Sequence, residues 1–368
     1  MTKNTASNTD ITKATPLRNG WTTGACATAA VKAALLALIT GEFPDPVGII
    51  LPKGEVPYFQ LALQTLGDGY AVAGIIKDAG DDPDVTHGAM IIVMVNPAPP
   101  HSGIIFKAGE GVGIVTLPGL PIPPGEAAIN PVPRALMSAV CEDICAHYGL
   151  PADLLITISI PDGEEIAKKT WNPRLGIKGG LSILGTTGVV HPFSCSAWIH
   201  SIHRGIDVAR AKKQNHVIAA TGSTSEDAAQ ALYHLPDYAL LDMGDFVGAV
   251  LKYLRLHPIE KLTLAGGFAK FTKLAQGEID LHSSKSQVDK NFLWQLLLEL
   301  GANENLKPSI IGANTAKEIY EIAKENGFEL AIPVAKQAKK TALNILRDTP
   351  VEVELIITDR MGKILAQI

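Results

Sequence analysis

From residue 193 to the C-terminus, short apolar runs alternate with longer amphipathic segments, and this alternation limits the possible folds more than any other feature. The runs predict strands at 216–220, 238–242, 261–265 and 351–358. The amphipathic segments predict helices at 194–213, 224–235, 245–256, 268–275, 287–300, 315–326 and 334–347. Strands that alternate with helices of about 10–15 residues indicate βαβ units. This half therefore predicts a parallel α/β sheet covered by helices on both faces.

The first half has a different composition, since residues 1–192 hold 23 of the 34 glycines and 19 of the 24 prolines. Gly, Pro and Asp separate short apolar runs, which is typical of a largely antiparallel sheet. The strands are predicted at 47–51, 58–66, 70–77, 89–95, 103–107, 112–116 and 154–160, with helices at 25–40, 133–147 and 164–169. We therefore predict a disordered start over 1–15, an α+β domain over 16–191 and a parallel α/β domain over 192–368.

Composition excludes several classes of protein. The net charge is −5, so no basic excess exists for sequence-independent nucleic-acid binding. With 46% hydrophobic and 19% charged residues the chain can fill a core, which excludes disorder as a whole-chain description. Its four cysteines do not make a disulfide scaffold. The polar N-terminus lacks a signal peptide, and the most apolar stretch, 25–39, contains Lys32 and is too short to span a bilayer. We expect a cytoplasmic protein without a membrane or nucleic-acid partner.

The segment VIAATGSTSEDAA predicts a strand, a glycine turn and a helix start. Ser223, Thr224 and Ser225 offer side-chain oxygens to cap that helix, whose positive end favours a polar or anionic ligand group. Asp242 ends the next predicted strand, at the distance where an acidic residue binds ribose hydroxyls in nucleotide-binding folds. The full G-x-G-x-x-G is missing, so an adenosine ligand without pyrophosphate, such as S-adenosylmethionine, fits better than NAD. Thr221 and Gly222 would then belong to the cofactor site. The alternative is an ordinary βα turn that binds no ligand.

A second strand–glycine–helix turn occurs in TLAGGFAKFTKLAQG. Gly266 and Gly267 would let a ligand lie against the backbone at the carboxyl edge of the sheet, where ligands bind in open α/β folds. A tight turn with close helix packing explains the same two glycines equally well.

The segment KDAGDDPDVTHGA collects four carboxylates and a histidine within ten residues. Clustered carboxylates raise one another's pKa, so Asp82, Asp84 and His87 are candidates for acid–base chemistry. A calcium loop is a second interpretation, although the EF-hand spacing is missing. A solvated turn between two strands is the third, and composition alone favours it.

Four cations in KKTWNPRLGIKGG lie near a glycine-rich stretch, and an arginine earlier in the chain adds a fifth; all are candidates for binding a polycarboxylate through charge-assisted hydrogen bonds. They are Arg134, Lys168, Lys169, Arg174 and Lys178. A basic surface loop is the alternative. His282, in a loop at the expected ligand edge, is a candidate general base or an ordinary polar loop histidine.

These motifs together resemble one family, the CbiD proteins of cobalamin biosynthesis. The resemblance extends from about residue 17 to the C-terminus, and its most specific block is the one at 158–188. It rests on WTTGACATAAVKAA at 21–34, KDAGDDPDVTHGA at 77–89, GEGVGIVTLPGL at 109–120, AINPVPR at 128–134, ISIPDGEEIAKKTWNPRLGIKGGLSILGTTG at 158–188 and LHSSKSQVD at 281–289.

The resemblance implies methyl transfer from S-adenosylmethionine to carbon 1 of cobalt-precorrin-5B, in the anaerobic route to vitamin B12. It implies a ribosomal-S5-domain-2-like α+β part joined to a Rossmann-like part. Cobalt would arrive with the tetrapyrrole substrate, so no protein-bound metal is expected. Thr23, in the first motif, joins the cations as a candidate substrate contact.

Two other function classes remain open at this stage. An NAD(P)-dependent oxidoreductase would use the same glycine turns and would bind a nicotinamide cofactor. A non-catalytic tetrapyrrole carrier would bind the tetrapyrrole but not S-adenosylmethionine. Homo-oligomerisation and transient contact with other pathway enzymes are also left open.

Overall fold

A computed structural model describes residues 17–368, so the disorder predicted over 1–15 lies outside the described residues. The chain divides into two compact units. The first comprises the described residues up to Gly109, together with Ile129–Pro161 and Ile183–Ser194. The second comprises Glu110–Ala128, Asp162–Ser182 and Cys195–Ile368. Two segments that precede residue 191 thus belong to the second unit, and the domain boundary at 191/192 stays a prediction.

Up to residue 194 the chain forms short strands, two long helices and one short helix. In order they are β1 Gly20–Trp21, α1 Thr23–Thr40, β2 Val47–Gly48, β3 Tyr58–Phe59, β4 Leu63–Gly67, β5 Tyr70–Ile76, β6 Met90–Pro97, β7 Ile104–Ala108, β8 Ile114–Val115, α2 Pro131–Tyr148, β9 Leu154–Ser159, α3 Gly163–Ala167, β10 Ile177–Lys178 and β11 Val189–Val190.

The remaining residues alternate between helices and strands, as predicted. In order they form α4 Cys195–Ala211, β12 His216–Ala220, α5 Ser223–Tyr233, a 3₁₀ turn Asp237–Ala239, β13 Leu240–Asp242, α6 Val247–Leu256, β14 Lys261–Gly267, α7 Phe268–Ala275, α8 Lys290–Glu299, a 3₁₀ turn Glu304–Leu306, α9 Lys307–Gly312, α10 Ala316–Glu325, α11 Ala331–Leu346, β15 Glu352–Thr358 and β16 Ile364–Gln367.

The main sheet of the first unit has the strand order β4-β5-β6-β9-β7. All neighbours are antiparallel except β7 and β9, which confirms a largely antiparallel sheet. Along β6 the side chains of Ile91, Val93 and Val95 are fully buried, because alternate residues of a strand face the same side. That face packs against α1 and supplies much of the core of this unit.

Helix α1 forms because small and apolar residues fill it and both ends are capped. The Thr22 hydroxyl accepts a hydrogen bond from the Ala25 N–H, and Gly41 ends the helix in the left-handed conformation. Among the described residues it is the one helix long and apolar enough, by length and composition, to cross a membrane, so the expectation that this stretch is too short is wrong. Of its 18 residues 72% are buried within the protein, as in a core helix.

The sheet of the second unit has the order β13-β12-β14-β15-β16. The first four strands are parallel, as the alternation predicted, and β16 pairs antiparallel with β15 at the edge. Neither β16 nor α9 was predicted from the sequence. Three apolar residues and a glutamine are too short a run to predict a strand without knowing that β15 offers an unpaired edge.

The segments 110–128 and 162–182 join the second unit through an apolar cluster. Strands β8 and β10 pair antiparallel, and Val115, Leu175 and Ile177 pack with Val208 of α4. This contact explains why a boundary taken from composition differs from the division by contacts. These apolar side chains are buried by residues such as Val208 that are far away in the sequence, so their burial cannot be recognised from local composition.

Candidate functional site

Three adjacent strands of the second unit end at the same edge, and β12 lies between the other two. Ala220 at the end of β12 is level with Asp242 of β13 and with Ala265 of β14. The Thr221 N–H donates to the Ala265 carbonyl at 2.9 Å, and the Met243 N–H donates to the Ala220 carbonyl at 2.9 Å. The turns that carry the predicted cofactor residues are therefore neighbours, at the edge where ligands bind in open α/β sheets.

The glycines of these turns have two different environments. A Cβ atom added at Gly222 or at Gly267 would meet no other atom within 4 Å, so open space lies beside both backbones. A Cβ at Gly266 would lie 2.9 Å from the side chain of Thr221. Gly266 thus allows the two turns to pack closely, whereas Gly222 and Gly267 leave room for a ligand.

The start of α5 differs from the expected arrangement. Its N-cap is Gly222 in an extended conformation, and no side chain caps it, so the prediction of caps from Ser223, Thr224 and Ser225 is wrong. Ser223 and Thr224 are exposed residues of the first turn, and the Ser225 hydroxyl donates to the Gly222 carbonyl at 2.8 Å. Hydroxyl residues at a helix start cap it only when they occupy the residue that precedes the helix.

A charged cluster joins this turn to the end of β13. Arg174 donates two hydrogen bonds to Glu226 of α5, at 2.8 and 2.6 Å. Glu226 is only 8% exposed, and its hydrogen bonds raise the pKa of Arg174. Burial and the neighbouring Glu226 carboxylate raise the pKa of Asp242, although the Gly244 N–H and Arg174 act in the opposite direction. Sequence reasoning missed Glu226, although its carboxylate lies only four residues after Gly222.

Two further charged residues at this edge were not predicted. Lys270, in the first turn of α7, forms an ion pair with Asp245, which lies in the turn after β13. The signal available in the sequence was the nearness of each residue to a strand end: Asp245 follows Asp242 by three positions and Lys270 follows Gly267 by three.

An exposed indole covers the turn after β13. The Trp198 Nε1–H donates to the Asp242 carbonyl at 3.0 Å, and the ring lies against Gly244, whose backbone is left-handed. Trp198 is 43% exposed, so one part of the ring remains open to solvent. A fixed, partly exposed aromatic ring at this edge is suited to contact a flat ligand.

The loop that carries His282 lies against the same turn. The Leu281 N–H donates to the Asp245 carbonyl at 2.9 Å, and the Gly248 N–H donates to the Ile279 carbonyl at 3.0 Å. His282 is exposed, and its Nδ1 accepts from the Ser284 N–H at 3.2 Å. The structure thus brings His282 to the edge where it was expected.

The acidic segment of the first unit is a loop braced by protein hydrogen bonds. Lys77 is 2% exposed, and its ammonium lies 2.6 Å from the Asp84 carboxylate. Burial would raise the pKa of Asp84, but Lys77 and the hydrogen bonds from Thr86 outweigh it and hold the pKa below its usual range. Asp82 accepts from the Phe193 N–H at 2.8 Å.

His87 belongs to the same brace. Its Nδ1 accepts from the Ala79 N–H at 3.1 Å and lies 3.8 Å from Asp78. Asp78 pairs with Arg18, which holds the pKa of that carboxyl at about 2. The three candidate residues Asp82, Asp84 and His87 thus all contact neighbouring parts of the first unit, and each contact helps to hold the loop closed.

The candidate substrate residues are divided between the two units. In the first unit the Thr23 hydroxyl bonds with the Leu184 backbone, and Arg134 donates to the Ile129 carbonyl at 2.8 Å and lies over the Phe106 ring. In the second unit Lys168 pairs with Glu165, and Lys169 and Lys178 are exposed. Arg174 is the one of these cations that lies beside the candidate cofactor edge.

Grooves and metal-ligating groups do not identify a different site. Over residues 17–368, no three His, Cys, Asp or Glu side chains are grouped so that they could hold a metal ion. Two surface grooves of about 480 and 600 Å³ lie elsewhere in the second unit. One is lined by Lys336, Lys339 and Lys340 of α11, and the other lies where β12 and β14 begin.

Comparison with known proteins gives matches along most of the chain. The CbiD family model matches residues 10–192, and the model of the CbiD C-terminal domain matches residues 280–368. Relatives from Brucella anthropi, Brucella canis and Brucella suis biovar 1 carry the name cobalt-precorrin-5B C(1)-methyltransferase. Each is 74% identical over 352 residues, which is 96% of this chain and 96% of the relative. A crystal structure of cobalamin biosynthesis protein (cbiD) from Archaeoglobus fulgidus is 26% identical, covers 85% of both chains and superposes with a TM-score of 0.38.

Proposed function

The chain belongs to the CbiD family, and on that premise we propose that it is a cobalt-precorrin-5B C(1)-methyltransferase. It transfers the methyl group of S-adenosylmethionine to carbon 1 of the ring-contracted cobalt tetrapyrrole in cobalamin biosynthesis. The observation that carries this proposal is the 74% identity, over 96% of the chain, to relatives with that name. Cobalt is part of the substrate, and no metal bound by the protein is needed.

S-adenosylmethionine is placed at the carboxyl edge of the second unit. The open space beside Gly222 and Gly267 supports this, since it lets a ligand approach the backbone of two adjacent turns. Asp242 is positioned to accept hydrogen bonds from the ribose hydroxyls, as acidic residues do in nucleotide-binding folds. Thr221 and Gly266 hold the turns together, and Ser223 and Thr224 form the rim of the site.

Methyl transfer to carbon is an in-line displacement in which the new C–C bond forms as the S–C bond of the sulfonium breaks. The sulfonium is already a good leaving group, so the protein has to align the reactants and exclude water. His282 is the candidate to accept a proton that the substrate loses on methylation, because it lies beside the cofactor edge. Thr23, Arg134, Lys168, Lys169 and Lys178 are the candidate contacts for the substrate carboxylates. Asp82, Asp84 and His87 act as the brace of their loop.

The finer description of the fold and the setting of the enzyme belong to the same proposal. The antiparallel sheet of the first unit and its helices correspond to the ribosomal-S5-domain-2-like part, and the parallel sheet of the second corresponds to a Rossmann-like part. The domain boundary is placed near 191/192. The enzyme acts in the cytoplasm on a small molecule and binds neither nucleic acid nor membrane. The activity itself requires neither a homo-oligomer nor a contact with other pathway enzymes.

The test is titration of the purified protein with S-adenosylmethionine, followed by addition of cobalt-precorrin-5B. Mass spectrometry of the tetrapyrrole should show the mass of one added methylene unit, and S-adenosylhomocysteine should appear in equal amount. Tetrapyrrole binding without S-adenosylmethionine binding would indicate a carrier instead. Binding of NAD(P) without methyl transfer would indicate an oxidoreductase.

A further inference from the structure

The ion pair between Asp245 and Lys270 connects the loops that follow two different strands. Asp245 follows β13, and Lys270 lies in the first turn of α7, directly after β14. Because β12 lies between β13 and β14, the pair spans the carboxyl end of β12. Lys270 also lies one helical turn after Gly267, the residue that precedes α7 and has open space beside its backbone.

Both charges are held in a partly dehydrated position but remain accessible. The side chain of Lys270 is 35% exposed and that of Asp245 is 19% exposed. Burial and the neighbouring Lys273 lower the pKa of Lys270, and Asp280 acts in the opposite direction. Lys273 itself is buried, with its ammonium donating to the Leu281 carbonyl at 2.8 Å. Two lysine ammonium groups are therefore neighbours here, and Lys270 is the more exposed of the two.

A pair of this kind is complementary to the end of a free α-amino acid. Such an end carries an ammonium and a carboxylate on one carbon, so its charges can lie side by side with a carboxylate and an ammonium of the protein. A carboxylate offers about four lone-pair sites, and Asp245 can therefore bind Lys270 and a second cation together. Charge-assisted hydrogen bonds of this type are the stronger ones in proteins.

We propose that Asp245 and Lys270 form the subsite for the zwitterionic α-amino acid end of the methyl donor. Lys270 binds the α-carboxylate, and Asp245 binds the α-ammonium. The proposal rests on the proposed function, since it takes the methionyl part of S-adenosylmethionine as the ligand. The two ends of the ligand then contact different residues: Asp242 binds the ribose, and Asp245 and Lys270 bind the amino acid.

Calorimetry with two ligands tests the subsite directly. S-adenosylhomocysteine has the complete amino acid, whereas 5′-methylthioadenosine keeps the adenosine and the thioether but lacks the amino acid. Lys270→Met and Asp245→Asn should each lower the affinity for S-adenosylhomocysteine at least about tenfold, the effect of losing one hydrogen bond to a charged group. Neither variant should change the affinity for 5′-methylthioadenosine. Lys270→Arg should retain more affinity than Lys270→Met because it keeps the charge.

The matched control is Lys252→Met, which removes an exposed lysine from α6 and should bind both ligands like the wild-type protein. Thermal unfolding of each unliganded variant shows whether it is folded. An equal loss of affinity for both ligands, or no loss of affinity for either, would overturn the subsite. Binding of S-adenosylhomocysteine by the wild-type protein would in that case still support the proposed cofactor site. If the wild-type protein binds neither ligand, the proposed cofactor site fails together with the subsite.

Discussion

Arg174 and Glu226 are 52 positions apart in the sequence and form a two-point ion pair, with nitrogen–oxygen distances of 2.8 and 2.6 Å. Glu226 lies in α5, directly after the glycine turn of the candidate cofactor edge. The pair therefore anchors the segment that carries Arg174 to the helix that begins at this edge. A cation that was expected to bind substrate carboxylates is already bound by a carboxylate of the protein.

Arg174→Ala should destabilise the second unit and should also weaken binding of S-adenosylmethionine. Removing the guanidinium leaves the buried Glu226 carboxylate unpaired, at a cost of about 1–3 kcal/mol, since Arg174 is partly exposed. Urea unfolding measures the loss of stability, and calorimetry measures the ligand. Lys178→Ala, which removes an exposed lysine from the same segment, is the control and should change the unfolding free energy by less than about 0.5 kcal/mol. An Arg174→Ala protein as stable as wild type would contradict the structural role of the pair.

Asp242→Asn should raise stability at neutral pH while lowering the affinity for S-adenosylmethionine at least about tenfold. The folded protein raises the pKa of Asp242, so between the unfolded and folded pKa values the native state binds more protons. Stability therefore falls as pH rises through that window, and the asparagine removes this penalty. Urea unfolding over a pH series measures the effect. The exposed Asp227→Asn is the control, and unchanged ligand affinity in Asp242→Asn would remove this carboxylate from the site.

The two glycines of the second turn should respond in opposite ways to alanine. In Gly266→Ala the new Cβ would lie 2.9 Å from Thr221, so the protein should lose about 1–3 kcal/mol of stability. Gly267 has open space and an ordinary φ of −73°, so Gly267→Ala should fold normally. It should nevertheless weaken S-adenosylmethionine binding, because the methyl group occupies the space assigned to the ligand. Normal binding by a folded Gly267→Ala protein would place the ligand elsewhere.

Asp84→Asn should be one of the most destabilising single changes in the first unit, by about 3–5 kcal/mol, because it leaves the buried Lys77 ammonium unpaired. Lys77→Met should cost less, since the remaining Asp84 carboxylate is 25% exposed and keeps its hydrogen bonds from Thr86. Folding lowers the pKa of Asp84, so the stability it contributes is present above the unfolded pKa and is lost as pH falls through the folded pKa. Urea unfolding measures both variants, with the exposed Asp68→Asn as control. Equal stability of Asp84→Asn and the control would falsify the brace.

The native protein should react with a thiol reagent at one cysteine. Cys195 is exposed, whereas Cys26, Cys141 and Cys145 are buried, and burial raises the pKa of Cys26 and of Cys141 to about 12. Because the thiolate is the reactive form, the three buried thiols should react only after unfolding. Mass spectrometry after iodoacetamide treatment should show one label, and Cys195→Ser should show none. A second label on the native protein would contradict the burial of these residues.

Much of the local structure was predictable from the sequence, because local patterns determine it. The predicted strand over 216–220 and the predicted helix over 268–275 coincide with β12 and α7. Hydrophobic periodicity and glycine turns are properties of a few consecutive residues, and they identify buried strands and amphipathic helices without knowledge of the rest of the chain. The parallel order of the second sheet followed from the alternation of these elements, and the family was identified from the motifs.

Only the tertiary structure decided which side chains meet. Arg174 reaches Glu226, Lys270 reaches Asp245, and Lys77 is paired with Asp84 in a buried position. The sequence by itself determined that charged and glycine residues would follow the strands of the parallel sheet. It did not determine their partners, because an ion pair depends on distance and burial, and both are set by long-range packing of the apolar residues around it. For the same reason composition alone did not assign 110–128 and 162–182 to the second unit.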